Sequence, residues 1–334
     1  MGRLIDGVWT TGADFKKTKD GKFVRADAKF RNWITVDGSA GTSGESGFEA
    51  EADRYHLYVS YACPWAHRTL IFRKLKGLED LISYSVVSPL MLDQGWTFDA
   101  DFVGSKGDDL YGSSKLHQIY TKASPDFSGR VTVPVLWDKK RQTIVSNESS
   151  EIIRMFNSEF DHLTGNTDDF WPAQMREEIE EVNERIYHTF NNGVYRTGFA
   201  SKQAAYDEAV GELFDTLDWL EDRLSKNHYL MGDQITEADW RLVATLFRFD
   251  LVYNIHFKCS RNRIVDFPNL WSLARELYQW TAPDGSAIAD TVKFDHIAHH
   301  YYRSHESINA HRIVPLAQPV DWTAPNGRKA SSAA

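Results

Sequence analysis

The chain has 334 residues and carries 47 acidic against 38 basic side chains, for a formal net charge of -9 and a pI near 5.7. That balance argues against a nucleic-acid polyanion or an anionic membrane surface as the main partner and leaves a small molecule as the expected one. The length exceeds one ordinary core and points to two domains.

Only two cysteines occur, and the first residues form no apolar signal core. A reducing, cytoplasmic compartment is therefore expected. No apolar run approaches the roughly 20 residues that span a bilayer.

Residues 1–50 are rich in Gly, Lys, Asp and Thr and end in a Gly/Ser-rich stretch, so they read as an extended arm and loop. Trp9, Phe15, Phe23, Phe30 and Trp33 lie within it, which predicts that the arm packs on the body of the protein.

Residues 55–61 are aromatic and β-branched and read as a strand. Cys63-Pro64 follows, and then a helical pattern with Leu70, Ile71, Leu75 and Leu78 that stops at Gly77. Residues 82–87 form a second strand, so the unit is a parallel βαβ crossover. Cys63 thereby stands at a helix N-terminus, where free N–H groups and the helix dipole favour thiolate. Such placement lowers a thiol's pKa from about 8.5 into the range of roughly 3.5 to 7.5. Ala66 occupies the position of a second thiol in a Cys-x-x-Cys pair, so the resolving thiol must come from outside. Cys259, in contrast, sits at the end of an apolar helix and reads as a small buried hydrophobe.

Residues 88–128 break the pattern, with a helix expected over 110–122. Residues 131–138 and 143–146 read as a hairpin, in which Pro134 requires an edge, a bulge or a cis turn. Asn147-Glu148-Ser149-Ser150-Glu151 opens a helix capped by Ser or Asn, and such an N-terminus can hold an anion or simply be capped. A turn-rich linker follows over 161–172. Beyond it, residues 175–190, 206–224, 237–256, 267–280 and 292–302 have helical spacing throughout. Thr236 and Asp239 resemble a capping box. The cluster of His296, His299, His300, His305 and His311 lacks a His-Glu-x-x-His pattern, so no metal site is expected. The expected organisation is an arm over 1–50, an α/β domain over 51–162, an all-helical domain over 172–325 and a disordered tail over 326–334.

A Cys-Pro helix start in a βαβ unit, a Val-Pro hairpin, a Glu-Ser helix start and an all-helical second half resemble a glutathione transferase with a thioredoxin-like N-terminal domain. More narrowly, Cys63-Pro64-Trp65-Ala66, Gly95-Trp96, Arg130-Val131-Thr132-Val133-Pro134, Asn147-Glu148-Ser149 and Asn191-Asn192-Gly193-Val194-Tyr195 resemble the glutathionyl-hydroquinone reductases, or xi-class transferases. The resemblance implies that Cys63 is the nucleophile and that Val133 and a cis Pro134 pair with the glutathione peptide. It places Glu148 and Ser149 on the γ-glutamyl end, Trp96 over the tripeptide, and Arg130, Val131 and Thr132 beside it. Tyr195 becomes the proton donor or acceptor for the ring, with Tyr253 and Tyr301 approaching the sulfur from the helical domain. Tyr302 follows Tyr301 directly, which leaves open which of the two faces the site. Glutathione is implied as co-substrate, with no metal, and a homodimer is implied by the same likeness.

The chemistry fits these roles. A thiolate attacking the sulfur of a glutathionyl-hydroquinone must expel the ring, and a phenol with an unperturbed pKa near 10 can supply the proton that makes the ring leave. An omega-like thioltransferase or dehydroascorbate reductase would share Cys63 without requiring Tyr195. A non-catalytic ligand-binding protein on the same scaffold would require neither.

Overall fold

A computed structural model describes residues 2–12, 18–316 and 320–328. The arm begins with a hairpin that its reading as extended chain does not anticipate. Strands β1 (Gly2–Ile5) and β2 (Val8–Thr11) pair antiparallel around Asp6 and Gly7, whose φ values are 46° and 76°. Two left-handed residues at the centre of a two-residue loop are what the right-handed twist of a hairpin requires. A Cβ on Gly7 would meet the Pro125 carbonyl oxygen at 1.9 Å, so the turn also needs glycine for space. Leu4 and Gly129 exchange N–H···O bonds of 2.9 Å in both directions, fastening the hairpin to the body. Phe23 and Trp33 are buried and Trp9 and Phe30 pack partly on the core, as the aromatic content of the arm predicts; Phe15 lies outside the described residues.

The main sheet has the order β4-β3-β5-β6, where β3 is Tyr55–Val59, β4 Ile82–Val86, β5 Val135–Asp138 and β6 Thr143–Ser146. β3 runs parallel to β4 and antiparallel to β5, and β5 and β6 form the expected hairpin. Every residue of β3 is buried, as suits a central strand covered on both faces. Helix α1 (Pro64–Leu75) makes the crossover and packs against α3 (Ser149–Ser158). Helix α2 (Leu116–Ala123) starts later than its apolar spacing predicts. The reason is Asp108, whose carboxylate accepts from the N–H groups of Leu110 (3.1 Å) and Ser113 (2.9 Å) and from the Tyr58 hydroxyl (3.0 Å), holding 108–113 as a turn. The ladder of β5 likewise begins after Pro134, which has no N–H to contribute, so 131–134 are not strand.

After the single turn α4 (Asp161–Thr164), the chain is helical: α5 (Arg176–Ile186), α6 (Gly193–Gly198), α7 (Gln203–Lys226), α8 (Glu237–Arg248), α9 (Pro268–Gln279) and α10 (Phe294–Ser304). The long helices expected over 175–190 and 237–256 each change winding. α5 passes into a π-helical turn at Tyr187–Asn191 and α8 into another at Phe249–Tyr253, marked by 2.8 Å bonds from Asn192 N–H to the Tyr187 carbonyl and from Asn254 N–H to the Phe249 carbonyl. A π turn accommodates one extra residue and re-aims the side chains after it. Helix α8 is buried along its whole length and forms the centre of this half. Thr236 caps it as expected: Ala238 N–H donates to Thr236 Oγ1 (3.3 Å), and Thr236 N–H donates to Asp239 Oδ2 (3.0 Å). Of the tail beginning at 326, Arg328 is paired with Glu276, and 329–334 lie outside the described residues. No helix among the described residues is long and apolar enough to cross a membrane.

Candidate active site

Cys63 is the N-cap of α1, with φ -78° and ψ 122°, and Pro64 follows at the first helical position. Proline is well placed there because the first helical N–H has no partner to lose. The first turn contains no acid, and the N–H groups of Trp65 and Ala66 reach the sulfur. The thiol donates to the Val133 carbonyl at 3.6 Å. Burial pushes the Cys63 thiol up, against the opposing pull of those N–H groups and of the Arg248 and Arg25 guanidiniums. The expected depression of the thiol is therefore corrected: the helix terminus is present, but it sits in a site dry enough to favour the neutral form.

Cys63 opens into a cleft of about 280 Å³ between the two halves of the chain. Trp96, Arg130, Val131, Thr132, Val133, Pro134, Glu148, Ser149, Tyr195 and Tyr301 line the same cleft. The Val133–Pro134 peptide bond is cis. Thr132 is held from behind by Tyr120, whose hydroxyl donates to the Thr132 carbonyl at 2.9 Å. Trp96 stacks on His300 with centroids 4.8 Å apart and planes at 19°. His300 donates from Nδ1 to the Pro89 carbonyl (2.8 Å), and burial lowers its pKa to about 4, so the stack is uncharged at neutral pH.

Glu148 is the N-cap of α3, where Ser or Asn was expected. Its carboxylate accepts from Ser150 N–H at 3.0 Å and from the Ser150 hydroxyl at 2.8 Å. Asn147 is unavailable for that task because its Oδ1 accepts from Phe30 N–H (3.1 Å) and its Nδ2 donates to the Tyr120 hydroxyl (3.1 Å). Ser149, buried, opens the helix beside Glu148.

From the helical half, Tyr195 on α6 and Tyr301 on α10 bring their hydroxyl oxygens to 2.6 Å, and the Tyr253 hydroxyl lies 2.8 Å from that of Tyr301. Tyr253 is fully buried behind the cleft wall and does not line it. The hydroxyl of Tyr302 donates to the Leu251 carbonyl at 3.0 Å, so it is Tyr301 that faces the site. Burial pushes all three phenols upward, which keeps them protonated at neutral pH. When Tyr301 donates to Tyr195, the Tyr195 O–H is left free for a group in the cleft.

Two cations escaped the sequence reading. Arg248, fully buried, donates from Nη2 to the Tyr61 carbonyl (2.9 Å), from Nε to the Ala62 carbonyl (2.8 Å), and from Nη1 to His67 Nδ1 (3.0 Å). It pins the loop that delivers Cys63, and no carboxylate among the described residues pairs with it. Arg25, from the arm, lies over the faces of Tyr195 (4.7 Å) and Trp65 (4.9 Å) and donates from Nε to Asn192 Oδ1 (2.7 Å). Nothing in the spacing of either residue signals the site. Cys259 is fully buried and its thiol is pushed up by burial, as a packing residue's would be. No group of three or more His, Cys, Asp or Glu side chains that could hold a metal ion occurs among the described residues.

The models for the glutathione S-transferase N-terminal and C-terminal domains match residues 62–159 and 203–275. The glutathionyl-hydroquinone reductase YqjG of Escherichia coli (strain K12) is 56% identical over 329 residues, covering 98% of this chain and 98% of its own. The chain belongs to the glutathione transferases, among the glutathionyl-hydroquinone reductases. Among solved structures, this transferase superposes on the glutathione-bound form of YqjG from Escherichia coli K-12 with a TM-score of 0.90 and 54% identity, over 98% of this chain and 99% of that one. A xi-class transferase from Natrialba magadii gives a TM-score of 0.87 at 46% identity, covering 97% and 96%.

Proposed function

We propose that the protein reduces glutathionyl-hydroquinones to hydroquinones at the expense of glutathione. The α/β part, residues 51–162, receives the glutathionyl moiety along Val133, Trp96, Glu148 and Ser149, and the helical part, residues 172–325, receives the ring. The observation that carries this reading is the placement of one thiol at the start of α1 in the same cleft as the end of a protonated tyrosine row.

Tyr195 gives a proton to the ring carbon that bears sulfur, converting the ring to its keto tautomer, and the proton lost by the ring hydroxyl restores the Tyr195 phenol. The Cys63 thiolate attacks the glutathionyl sulfur; an S–S bond forms, the C–S bond breaks, and its electron pair returns to the ring. The ring is reduced by two electrons, and the Cys63 and glutathione sulfurs are oxidised to a mixed disulfide. A second glutathione, as thiolate, attacks the glutathione sulfur of that disulfide, regenerating Cys63 and releasing oxidised glutathione. Ala66, in place of a second cysteine, makes this external thiol necessary. Both cysteines are free, which supports a reducing compartment.

Mass spectrometry tests the central intermediate. Mixing the protein with a glutathionyl-hydroquinone and no free glutathione should leave one glutathione on Cys63, removed when glutathione is added. Ring release without any adduct on Cys63 would overturn the mechanism.

A further inference from the structure

The N-terminal arm crosses the mouth of the cleft and is tied down on both sides of Arg25. Before it, Ser201 N–H donates to the Gly21 carbonyl (3.0 Å), Lys22 pairs with Glu208 (2.7 Å), and Phe23 stacks on Phe199 with centroids 5.5 Å apart. After it, Phe30 and Asn147 exchange bonds of 3.1 Å, from Phe30 N–H to Asn147 Oδ1 and from Asn147 N–H to the Phe30 carbonyl. One end is thus fixed to the helical half and the other to the start of α3. Arg25 is suspended between them over the cleft.

Its guanidinium is held by one edge and presented by the other. Nε donates to Asn192, the planes of Tyr195 and Trp65 support the group, and Nη2 is buried without a hydrogen-bond partner. No ion pair engages Arg25 among the described residues, whereas Lys29, the arm's other cation on this cleft, donates to the Ser128 carbonyl. A planar, permanently charged fork left uncommitted on an aromatic wall suits a negatively charged oxygen on a flat ring.

The proposed reaction generates such an oxygen. In a glutathionyl-hydroquinone, the carbon bearing sulfur has a neighbour bearing oxygen. When Cys63 takes the sulfur from the keto tautomer, the C–S electron pair flows through the ring and leaves that oxygen as a phenolate. We infer that Arg25 is a further catalytic residue, its terminal nitrogens binding this ring oxygen and stabilising the phenolate as the C–S bond breaks. The inference rests on the reading of the protein as a glutathionyl-hydroquinone reductase, and it gives the arm a task in the chemistry. Arg25 also draws the Tyr195 phenol down against the upward push of burial, the direction that helps Tyr195 release its proton.

The test is kcat/KM of wild type, Arg25→Met and Arg25→Lys on glutathionyl-hydroquinones whose ring substituents span a range of phenol acidity. Loss of a preorganised oxyanion donor typically costs about 10²-fold or more, so Arg25→Met should lose about that much on the least acidic rings. On strongly acidic halogenated rings it should lose far less, making the dependence on leaving-group acidity steeper. Arg25→Lys should recover part of the loss. Release of glutathione from a preformed Cys63 mixed disulfide, where no ring is involved, should fall only slightly, by what the loss of Arg25's pull on the Cys63 thiol entails, and far less than ring release. An equal loss on every ring, no loss at all, or an equal loss in the disulfide half-reaction would overturn the proposal. If wild type turned over none of the series, the parent reading would fall and the inference with it.

Discussion

The hydroxyl oxygens of Tyr195 and Tyr301 lie 2.6 Å apart although 106 positions separate the residues in the chain. The contact joins α6 to α10, and Tyr253, arriving from the π turn after α8, extends it by a 2.8 Å bond. Tyr195 and Tyr301 line the cleft while Tyr253 is sealed behind them, so a proton leaving Tyr195 can be compensated by a hydrogen bond from Tyr301. The row can therefore carry negative charge briefly at the cleft end without exposing it to water.

Replacing Tyr195 by Phe removes the cleft-facing donor and leaves the thiol untouched. Turnover of a glutathionyl-hydroquinone should drop about 10²-fold or more, the usual share of a positioned general acid. Exchange of glutathione with a preformed Cys63 mixed disulfide should continue at the wild-type rate. Steady-state and single-turnover kinetics separate the two. Unimpaired ring turnover in Tyr195→Phe, with activity lost in Cys63→Ala, would favour an omega-like thioltransferase instead.

The pH dependence follows from directions already fixed by the site. Cys63 is held above the ordinary thiol value of about 8.5 by burial, so the thiolate fraction grows as pH rises beyond that region. Tyr253 and Tyr301 are held well above 10.0, so the phenol row stays protonated over the same range. The rate of ring release should climb from neutral into alkaline pH without an intervening fall. Alkylation of Cys63 followed against pH should show its midpoint above that of an ordinary thiol in the glutathione-free protein. A midpoint below neutrality would mean that the helix terminus and the two guanidiniums outweigh burial.

The parts of the site that the sequence reveals are those built from neighbours along the chain. An aromatic strand, Cys63-Pro64 and an apolar helical stripe define the nucleophile's position locally, and Thr236 with Asp239 defines the start of α8. Tyr253 and Tyr301 carry no such signal. Two π turns re-aim the helical half by one residue each, a change that helical periodicity does not register, and only family likeness singled these tyrosines out. Arg25 reaches the cleft, and Arg248 the loop before Cys63, through contacts between distant segments, so their roles appear only when the halves are assembled. The direction of the Cys63 shift was missed for the same reason: the helix terminus is a local fact and the burial is not.

Arg248 offers a test of how the nucleophile loop is held. Its guanidinium donates to the Tyr61 and Ala62 carbonyls and to His67, and it favours the Cys63 thiolate. Arg248→Met should destabilise the fold by about 1–3 kcal/mol for each buried acceptor left unpaired. Alkylation of Cys63 at a fixed pH near neutrality should slow, because removing the cation pushes the thiol further up. Urea unfolding and alkylation rates measure the two effects. A stable variant with unchanged alkylation would show that the loop before Cys63 holds its own conformation.

Thr236→Ala probes a position away from the chemistry, and its effect should depend on pH. Thr236 Oγ1 accepts from Ala238 N–H and its hydroxyl donates to Asp239 Oδ2 at 3.3 Å. Loss of such a cap costs about 1 kcal/mol. Burial raises Asp239 from 3.8 to about 6, so its contribution to stability is full below 3.8 and is lost as pH rises through about 6. The Thr236 hydroxyl opposes that rise, and removing it lifts Asp239 further, which enlarges the loss above pH 6 but changes nothing where the acid is neutral in both folded and unfolded chains. The stability difference between wild type and Thr236→Ala should therefore be larger at pH 7 than at pH 4, with kcat on a glutathionyl-hydroquinone unchanged. Urea unfolding at the two pH values decides it, and a difference that shrinks with rising pH would contradict the assignment of Asp239 as the group that Thr236 stabilises in its charged form.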